Sequence, residues 1–224
     1  MAAKKFGLVL DLAGVVGAGL MALSDLVLLF TSVERSRYDF LEIATHIPEM
    51  RVMVGDYLGL VGVPFVLVGL YRVYEGLRPA GPWLSLPPVL LLAYGYLLGA
   101  VFHHGVSMTM IVARQDSLGG AAASELATIL LVPLGIAFGT IVVAGSTWLF
   151  VALITGRTGY PRWMAWTSPL TVVLLFRLLV LFGPPWMVGA LVPAGPNLAM
   201  VVFFSVAAGH RHVNRPPELV ERAV

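Results

Sequence analysis

The candidates for chemistry in this sequence are a few ionisable side chains that interrupt long apolar stretches. These residues are Asp11, Asp25, Asp56, His103, His104 and Arg177, together with the neutral Asn197. An ionisable group inside an apolar segment is energetically costly, so a functional site is its default explanation. We expect Asp25 or Asp56 to act as an acid and His103 to act as a base or a ligand. Arg177 is expected to hold charge at the same site.

Two kinds of chemistry fit these residue types. Carboxylate oxygens and imidazole nitrogens are ligands for divalent metals, and the candidate set is His103, His104 and Asp56. The His-Glu-x-x-His spacing of zinc enzymes is absent, so a metal site would have to be assembled across helices. Alternatively, the carboxylates and the histidine do acid–base work in a site that excludes water. The cofactor therefore stays undefined beyond one divalent metal ion.

Residues near these groups are candidates to contact a substrate. They are Tyr57, Tyr96, Ser107 and Asn197. Tyr96 and Ser107 share a helical face with His103, because seven and four residues separate them from it. A buried aspartate that keeps its proton can protonate an alkene or an epoxide. We therefore expect a lipophilic substrate, such as a lipid or an isoprenoid-like molecule.

The composition defines the class of protein. Of 224 residues, 58% are hydrophobic and only 12% are charged, whereas soluble domains average about 25% charged residues. So few charged side chains cannot cover a water-soluble surface, which indicates an all-α integral membrane protein. The absence of cysteine excludes disulfides and thiolate metal sites. No nucleotide-binding glycine motif or nucleophile elbow is present, and short loops leave no surface for nucleic acid.

Six stretches are apolar over the length of about 20 residues that a helix needs to cross a bilayer. The predicted spans are 6–31, 52–77, 85–113, 126–155, 164–182 and 186–209. The connections are short, so residues 1–224 are predicted to form a single transmembrane domain, a six-helix bundle. After the first span, apolar residues at helical spacing predict a short amphipathic helix at about 33–46 on the outer interface.

The basic residues predict the orientation of the bundle. If both termini share one side, nine of the 14 lysines and arginines lie on it, four lie opposite, and Arg177 lies inside a span. The positive-inside rule then places both termini in the cytoplasm and the protein in the inner (plasma) membrane. In this orientation the polar residues of the spans, apart from Asp11, fall in the outer half of the bilayer.

Two features of the spans bear on where the polar groups point. Small residues mark one face of the first span, namely Gly7, Asp11, Gly14, Ala18, Ala22 and Asp25. Such faces pack against other helices, so both aspartates are predicted to point into the bundle. The sixth span contains Pro193 and Pro196 and is predicted to be broken there, because each internal proline removes a hydrogen bond.

Three functions remain open at this point. The first is a membrane-embedded enzyme that uses acid–base or metal-assisted chemistry on a lipophilic small molecule in an outer-leaflet pocket. The second is a proton- or ion-coupled transporter or channel for a small solute, which draws on Asp11 and Asp25 and on a broken sixth helix. The third is a structural or accessory subunit whose polar groups pair inside the bundle. The expected partners are a membrane lipid and no nucleic acid, and a homo-oligomer stays open.

Overall fold

The computed structural model describes residues 2–30, 44, 46–115 and 119–213, and every regular element in these ranges is a helix. The helices are α1 (Ala2–Leu29), α2 (Glu49–Leu77), α3 (Pro82–Val112), α4 (Gly119–Leu126), α5 (Val132–Ile154), α6 (Pro169–Phe182) and α7 (Pro185–Val213). A π-helical segment, Ala127–Leu131, joins α4 to α5, and 3-10 turns lie at Arg78–Ala80 and Arg162–Thr167. The amphipathic helix predicted at 33–46 lies outside the described residues, apart from residues 44 and 46.

Five helical stretches are long and apolar enough to span a membrane, which indicates a membrane protein. They are Phe6–Leu29, Glu49–Ala80, Pro82–Val112, Gly120–Ile154 and Pro185–Val213. The prediction of an all-α protein with apolar spans is thus confirmed for the described residues, whereas the count of six spans is not. The stretch predicted as the fifth span, 164–182, forms the 3-10 turn and the 14-residue helix α6 instead.

The shortness of α6 has a local cause. Ser168 is extended (ψ 153°) and Pro169 opens the helix, because the residue before a proline is pushed out of the helical region. Fourteen residues rise about 21 Å in a helix. A hydrocarbon core is about 30 Å thick, so α6 alone falls short of crossing it.

Helix α7 is continuous from Pro185 to Val213, so the predicted break near Pro193 and Pro196 was wrong. Each proline removes one hydrogen bond from the helix, but the bonds on either side remain. Both flanks of α7 are packed, by α1 and by α6. In a membrane, neighbouring helices commonly hold such a helix together.

The bundle is centred on α1, which packs along α2 and α7. Helix α3 packs on α2 and carries α5, and α6 packs on α7. Helices α1 and α2 approach each other closely at glycines, since a Cβ on Gly14 would lie 2.7 Å from the Cα of Gly69. The small-residue face predicted for α1 is buried, with Asp11 and Asp25 exposed by only 7% and 9%.

The start of α1 and the end of α7 meet at one end of the bundle. Asp11, near the start of α1, forms an ion pair with Arg211, near the end of α7. The short helix α6 precedes α7 along the chain and packs against it.

Candidate functional site

Polar side chains from four helices gather at the end of the bundle opposite to Asp11. We call this group the histidine cluster, and its members are Ser24 and Asp25 of α1, Asp56 of α2, His103 and His104 of α3, and Asn197 of α7. All of them except Ser24 were candidates from the sequence. The cluster consists of two carboxylate–imidazole pairs, one inside the bundle and one at its surface.

The inner pair is Asp25 and His103. The Nδ1 atom of His103 lies 3.5 Å from Oδ1 of Asp25, and each side chain is only 13% exposed. Asn197 donates from Nδ2 to Oδ2 of Asp25 at 2.7 Å, so α7 holds the second oxygen of the carboxylate. On the other side of the ring, Ser24 Oγ lies 2.9 Å from Nε2 of His103.

The hydrogen-bond partners define where the protons of the inner pair lie. Ser24 Oγ is 2.7 Å from the carbonyl oxygen of Gly55, a contact that uses the single hydroxyl proton. Ser24 Oγ must then accept a hydrogen bond from Nε2–H of His103. Nδ1 of His103 faces Oδ1 of Asp25 at 3.5 Å, so this contact can hold a proton between the two side chains. Because the Ser24 hydroxyl is engaged by both Gly55 and His103, Ser24 is not free to act as a nucleophile.

A glycine makes room for this arrangement. A Cβ on Gly59 of α2 would lie 2.8 Å from Ser24 Oγ and 3.0 Å from both Cδ2 and Nε2 of His103. These distances are shorter than ordinary van der Waals contacts, so no larger residue fits without displacing the serine or the ring. Gly59 thus lets α2 approach α1 and α3 closely enough to bury the inner pair.

The outer pair is Asp56 and His104. Nδ1 of His104 lies 2.8 Å from Oδ2 of Asp56. The His104 side chain is 54% exposed, whereas the Asp56 side chain is 10% exposed. The other carboxylate oxygen, Oδ1 of Asp56, is buried and has no hydrogen-bond partner among the described residues. Because adjacent helical residues point about 100° apart, His104 and His103 face different carboxylates.

The proposed metal ligands do not converge on one point. His103 faces Asp25, while His104 faces Asp56, which separates the set of His103, His104 and Asp56 into different pairs. Within the described ranges, no group of three or more histidine, cysteine, aspartate or glutamate side chains is arranged to hold a metal ion. The donor arrangement suits proton exchange between a carboxylate and a ring better than metal coordination.

The remaining candidate residues lie in different surroundings. Tyr96 is buried and interacts electrostatically with Asp25, so it borders the inner pair. The Ser107 hydroxyl donates to the backbone carbonyl of His103 one turn earlier, at 3.2 Å. Tyr57 is 63% exposed and lines a shallow groove on α2 that no residue of the histidine cluster lines. Arg177 is exposed on α6 and forms no ion pair with a described residue of the cluster.

The opposite end of the bundle is held together by a second group, which we call the arginine cluster. Oδ1 of Asp11 accepts a hydrogen bond of 2.8 Å from Nε of Arg72 and forms an ion pair with Nη2 of Arg211, also at 2.8 Å. Arg72 also pairs with Glu75. Arg211 donates to the hydroxyl of Tyr160 at 2.8 Å and lies over its ring, 5.7 Å from the centroid. Tyr160 lies between α5 and α6, and its burial raises the pKa of the phenol to about 12.

Apolar side chains separate the two clusters. The core between them includes Met21, Val66, Leu70 and Phe203, which are each exposed by 8% or less. The contact between Gly14 and Gly69 lies in the same part of α1 and α2 and brings the two backbones together. Asp11 and Asp25 are 14 residues apart, about 21 Å along the helix, and the packed core between them contains none of their polar partners.

Comparison with known proteins assigns a family but no activity. A family of unknown function, DUF6796, matches residues 4–211, so the chain belongs to this family. A search of the curated proteins and a search of the solved structures each found no match.

Proposed function

We propose that this member of the DUF6796 family is a membrane-embedded enzyme that performs acid–base chemistry on a lipophilic small molecule. In this proposal Asp25 is the acid that gives its proton to the substrate, and His103 is the base that shares that proton. The observation that supports the proposal is the buried contact between Asp25 and His103, whose other polar atoms are held by Ser24 and Asn197. A positioned group of this kind typically accelerates a reaction about 10²–10⁴-fold.

The position of the histidine cluster at one end of the bundle favours an enzyme over a transporter. A proton-coupled transporter needs access to its binding site from both sides of the membrane. Here Asp11 is engaged by two guanidinium groups, and apolar residues fill the bundle between it and Asp25. The continuous α7 also lacks the interrupted helix that many transporters use at a substrate site.

The free oxygen of Asp56 favours an enzyme over a purely structural subunit. Buried polar atoms are nearly always hydrogen bonded, and an exception calls for a specific explanation. Oδ1 of Asp56 is such an exception, next to a histidine that is half exposed. An unpaired buried carboxylate oxygen and a half-exposed histidine are expected of a site that binds a molecule. In a region that only stabilises the fold, the unpaired oxygen would cost free energy without a compensating role.

We place the histidine cluster in the outer leaflet of the inner (plasma) membrane. The arginine-cluster end then faces the cytoplasm, in accordance with the excess of basic residues assigned to that side. Exposed tryptophans lie at that end, as expected for residues at a membrane interface, in the 3-10 turn at Trp163 and Trp166 and at the start of α3 at Trp83. A lipophilic substrate would approach Asp25 from the side of the bundle along α7, where the partly exposed Asn197 contacts the carboxylate.

Deuterium transfer from solvent tests the proposal directly. The purified protein in lipid nanodiscs is incubated in D2O with a mixture of isoprenoid alcohols, isoprenoid hydrocarbons and glycerolipids. An acid that protonates carbon places deuterium in the product, which mass spectrometry detects. We expect labelling with the wild type, none with Asp25→Asn or His103→Gln, and full labelling with His212→Gln, which changes an exposed histidine at the other end of α7. Equal labelling by the wild type and Asp25→Asn would refute the proposal.

Proton flux across vesicles tests the transporter alternative. Proteoliposomes that contain a pH-sensitive dye are given a pH gradient and a membrane potential. We expect the same rate of dye response as in empty vesicles, because the arginine cluster and the apolar core close one end. A faster response that Asp25→Asn abolishes would replace the enzyme by a proton-coupled transporter.

A further inference from the structure

The outer pair has no role in the acid–base step assigned to Asp25 and His103. His104 and Asp56 nevertheless form a second carboxylate–imidazole pair. His104 follows His103 directly on α3, and Asp56 lies on α2. His104 is the more exposed of the two histidines, and its ring contacts a carboxylate that is otherwise buried. The histidine cluster thus has a partly exposed outer pair next to a buried inner pair.

We propose that His104 and Asp56 form the proton entry of the site and return a proton to the inner pair after each turnover. This inference rests on the proposed function, because it describes how the acid is restored. A proton from water or from the headgroup region binds at Nε2 of His104, and the proton at Nδ1 passes to Oδ2 of Asp56. Asp56 then releases a proton toward the inner pair. His104 ends neutral, Asp56 ends as a carboxylate, and the Asp25–His103 pair has gained one proton.

The two pairs are neighbours in the bundle. The charge of Asp56 acts on His103, and Nε2 of His103 lies 3.3 Å from the carbonyl oxygen of Gly55, the residue before Asp56. Among the described residues, Oδ1 of Asp56 has no competing hydrogen-bond partner, so rotation of the carboxyl group can turn the proton received at Oδ2 toward the inner pair. A bridging water would then carry the proton to that pair.

Other routes to the inner pair are closed within the part of the chain that the structure describes. On α1, the Ser24 hydroxyl is committed to a backbone carbonyl. On α7, Asn197 contributes a neutral amide that does not titrate. On α3, the remaining titratable neighbour is Tyr96, which is 5% exposed and has no contact with the surroundings that a proton could use. Toward the other end of the bundle lies the apolar core. The outer pair is therefore the connection that remains.

Nitrogen-15 NMR of the histidines measures this connection. The full chain is labelled at its imidazole nitrogens and placed in lipid nanodiscs, and the exchange of the His103 ring proton with water is followed. We expect His104→Ala to slow this exchange by about 100-fold or more, as for removal of a positioned proton-transfer group. Asp56→Asn, which keeps the shape of the side chain, is expected to slow it similarly. The control His212→Gln is expected to leave it unchanged.

Chemical rescue separates a relay from a structural effect. His104 is 54% exposed, so its removal opens a space that dissolved imidazole can enter. We expect added imidazole to restore exchange in His104→Ala in proportion to its concentration, but not in Asp56→Asn. Unchanged exchange in both variants, or slowed exchange that imidazole does not restore, would overturn the relay.

The relay and the proposed enzyme fail in different ways. If deuterium labelling of lipids is absent while His104→Ala still slows exchange and imidazole restores it, the relay stands and the enzyme does not. If deuterium labelling depends on Asp25 while His104→Ala leaves the exchange of the His103 ring proton unchanged, the enzyme stands and the relay does not.

Discussion

Substitution of Gly59 by alanine tests the geometry on which the site depends. In a helix that faces open space, this change is stabilising by about 0.8–1 kcal/mol, because alanine has the higher helix propensity. At position 59 the new Cβ would lie 2.8 Å from Ser24 Oγ and 3.0 Å from the His103 ring. Ser24 cannot move aside freely, since it bonds both Gly55 and His103. We therefore expect Gly59→Ala to displace the ring and weaken both hydrogen bonds.

The size of the effect follows from a matched control. A Cβ on Gly139 of α5 meets no atom within 4 Å, so Gly139→Ala gains helix propensity without a clash. Overpacking of a filled site costs about 1–3 kcal/mol. Because the gain in propensity is common to both variants, their difference in unfolding free energy is the clash itself. For a chain of this size, each kcal/mol corresponds to about 2–4 °C in Tm.

Thermal unfolding of both variants in the same detergent, followed by circular dichroism, gives this difference. We expect Gly59→Ala to melt below Gly139→Ala, and its His103 nitrogen signals to shift while those of His212 stay in place. Deuterium labelling of the lipid should fall in Gly59→Ala, although no titratable group has been changed. Equal melting temperatures, together with unshifted His103 signals, would refute the close packing of α2 against Ser24 and His103.

Four further substitutions test the arginine cluster and the end of α1. Asp11→Asn leaves two guanidinium groups without their shared carboxylate, so we expect a loss of about 3–5 kcal/mol in thermal unfolding. Gly76→Ala places a Cβ in the Tyr160 ring and should cost about 1–3 kcal/mol while lowering the phenol pKa in an absorbance titration. Since burial raises the pKa of Tyr160 from 10 to about 12, stability should fall as the pH rises through this interval, and Tyr160→Phe should remove that fall. Arg51→Gln removes charged donors from the last carbonyls of α1 and should cost about 1.5–3 kcal/mol, with faster amide exchange there.

The fold was predictable where hydrophobicity alone decides it. Length and apolar character identified the five long stretches, because a span must be apolar over its whole length. The fifth predicted span, 164–182, was drawn too long because apolar character continues through Ser168 and Pro169, although a serine before a proline is a signal for a new helix start. In α7 a break was predicted where the helix is continuous. The prediction considered the hydrogen bonds lost at Pro193 and Pro196 but not the packing of α7 on α1 and α6, which offsets that loss.

The site was predictable as a set of residues but not as a set of pairs. Ionisable side chains in apolar helices can be read directly from the sequence, and Asp25, Asp56 and His103 were found in this way. Which carboxylate meets which histidine depends on helix rotation, because one residue changes the direction by about 100°. Ser24 was missed, since a single serine in a span resembles an ordinary small packing residue. The available signal was Gly59, because a glycine on a facing helix leaves space for a neighbouring polar side chain.

The tandem histidines explain why the site has two pairs at all. In the proposed mechanism, a single buried pair would give up its proton to the substrate once and would not regain it, because neither Asn197 nor the apolar core carries protons. A single exposed pair exchanges protons readily but offers its acid to water as well as to substrate. Adjacent residues on one helix meet both needs, since His103 faces the interior while His104 faces the surface. Moving the second histidine by one turn, in the double variant His104→Ala/Met108→His, would keep it on that face but away from Asp56. We expect slow exchange at His103 in that variant, and fast exchange would show that any exposed imidazole suffices.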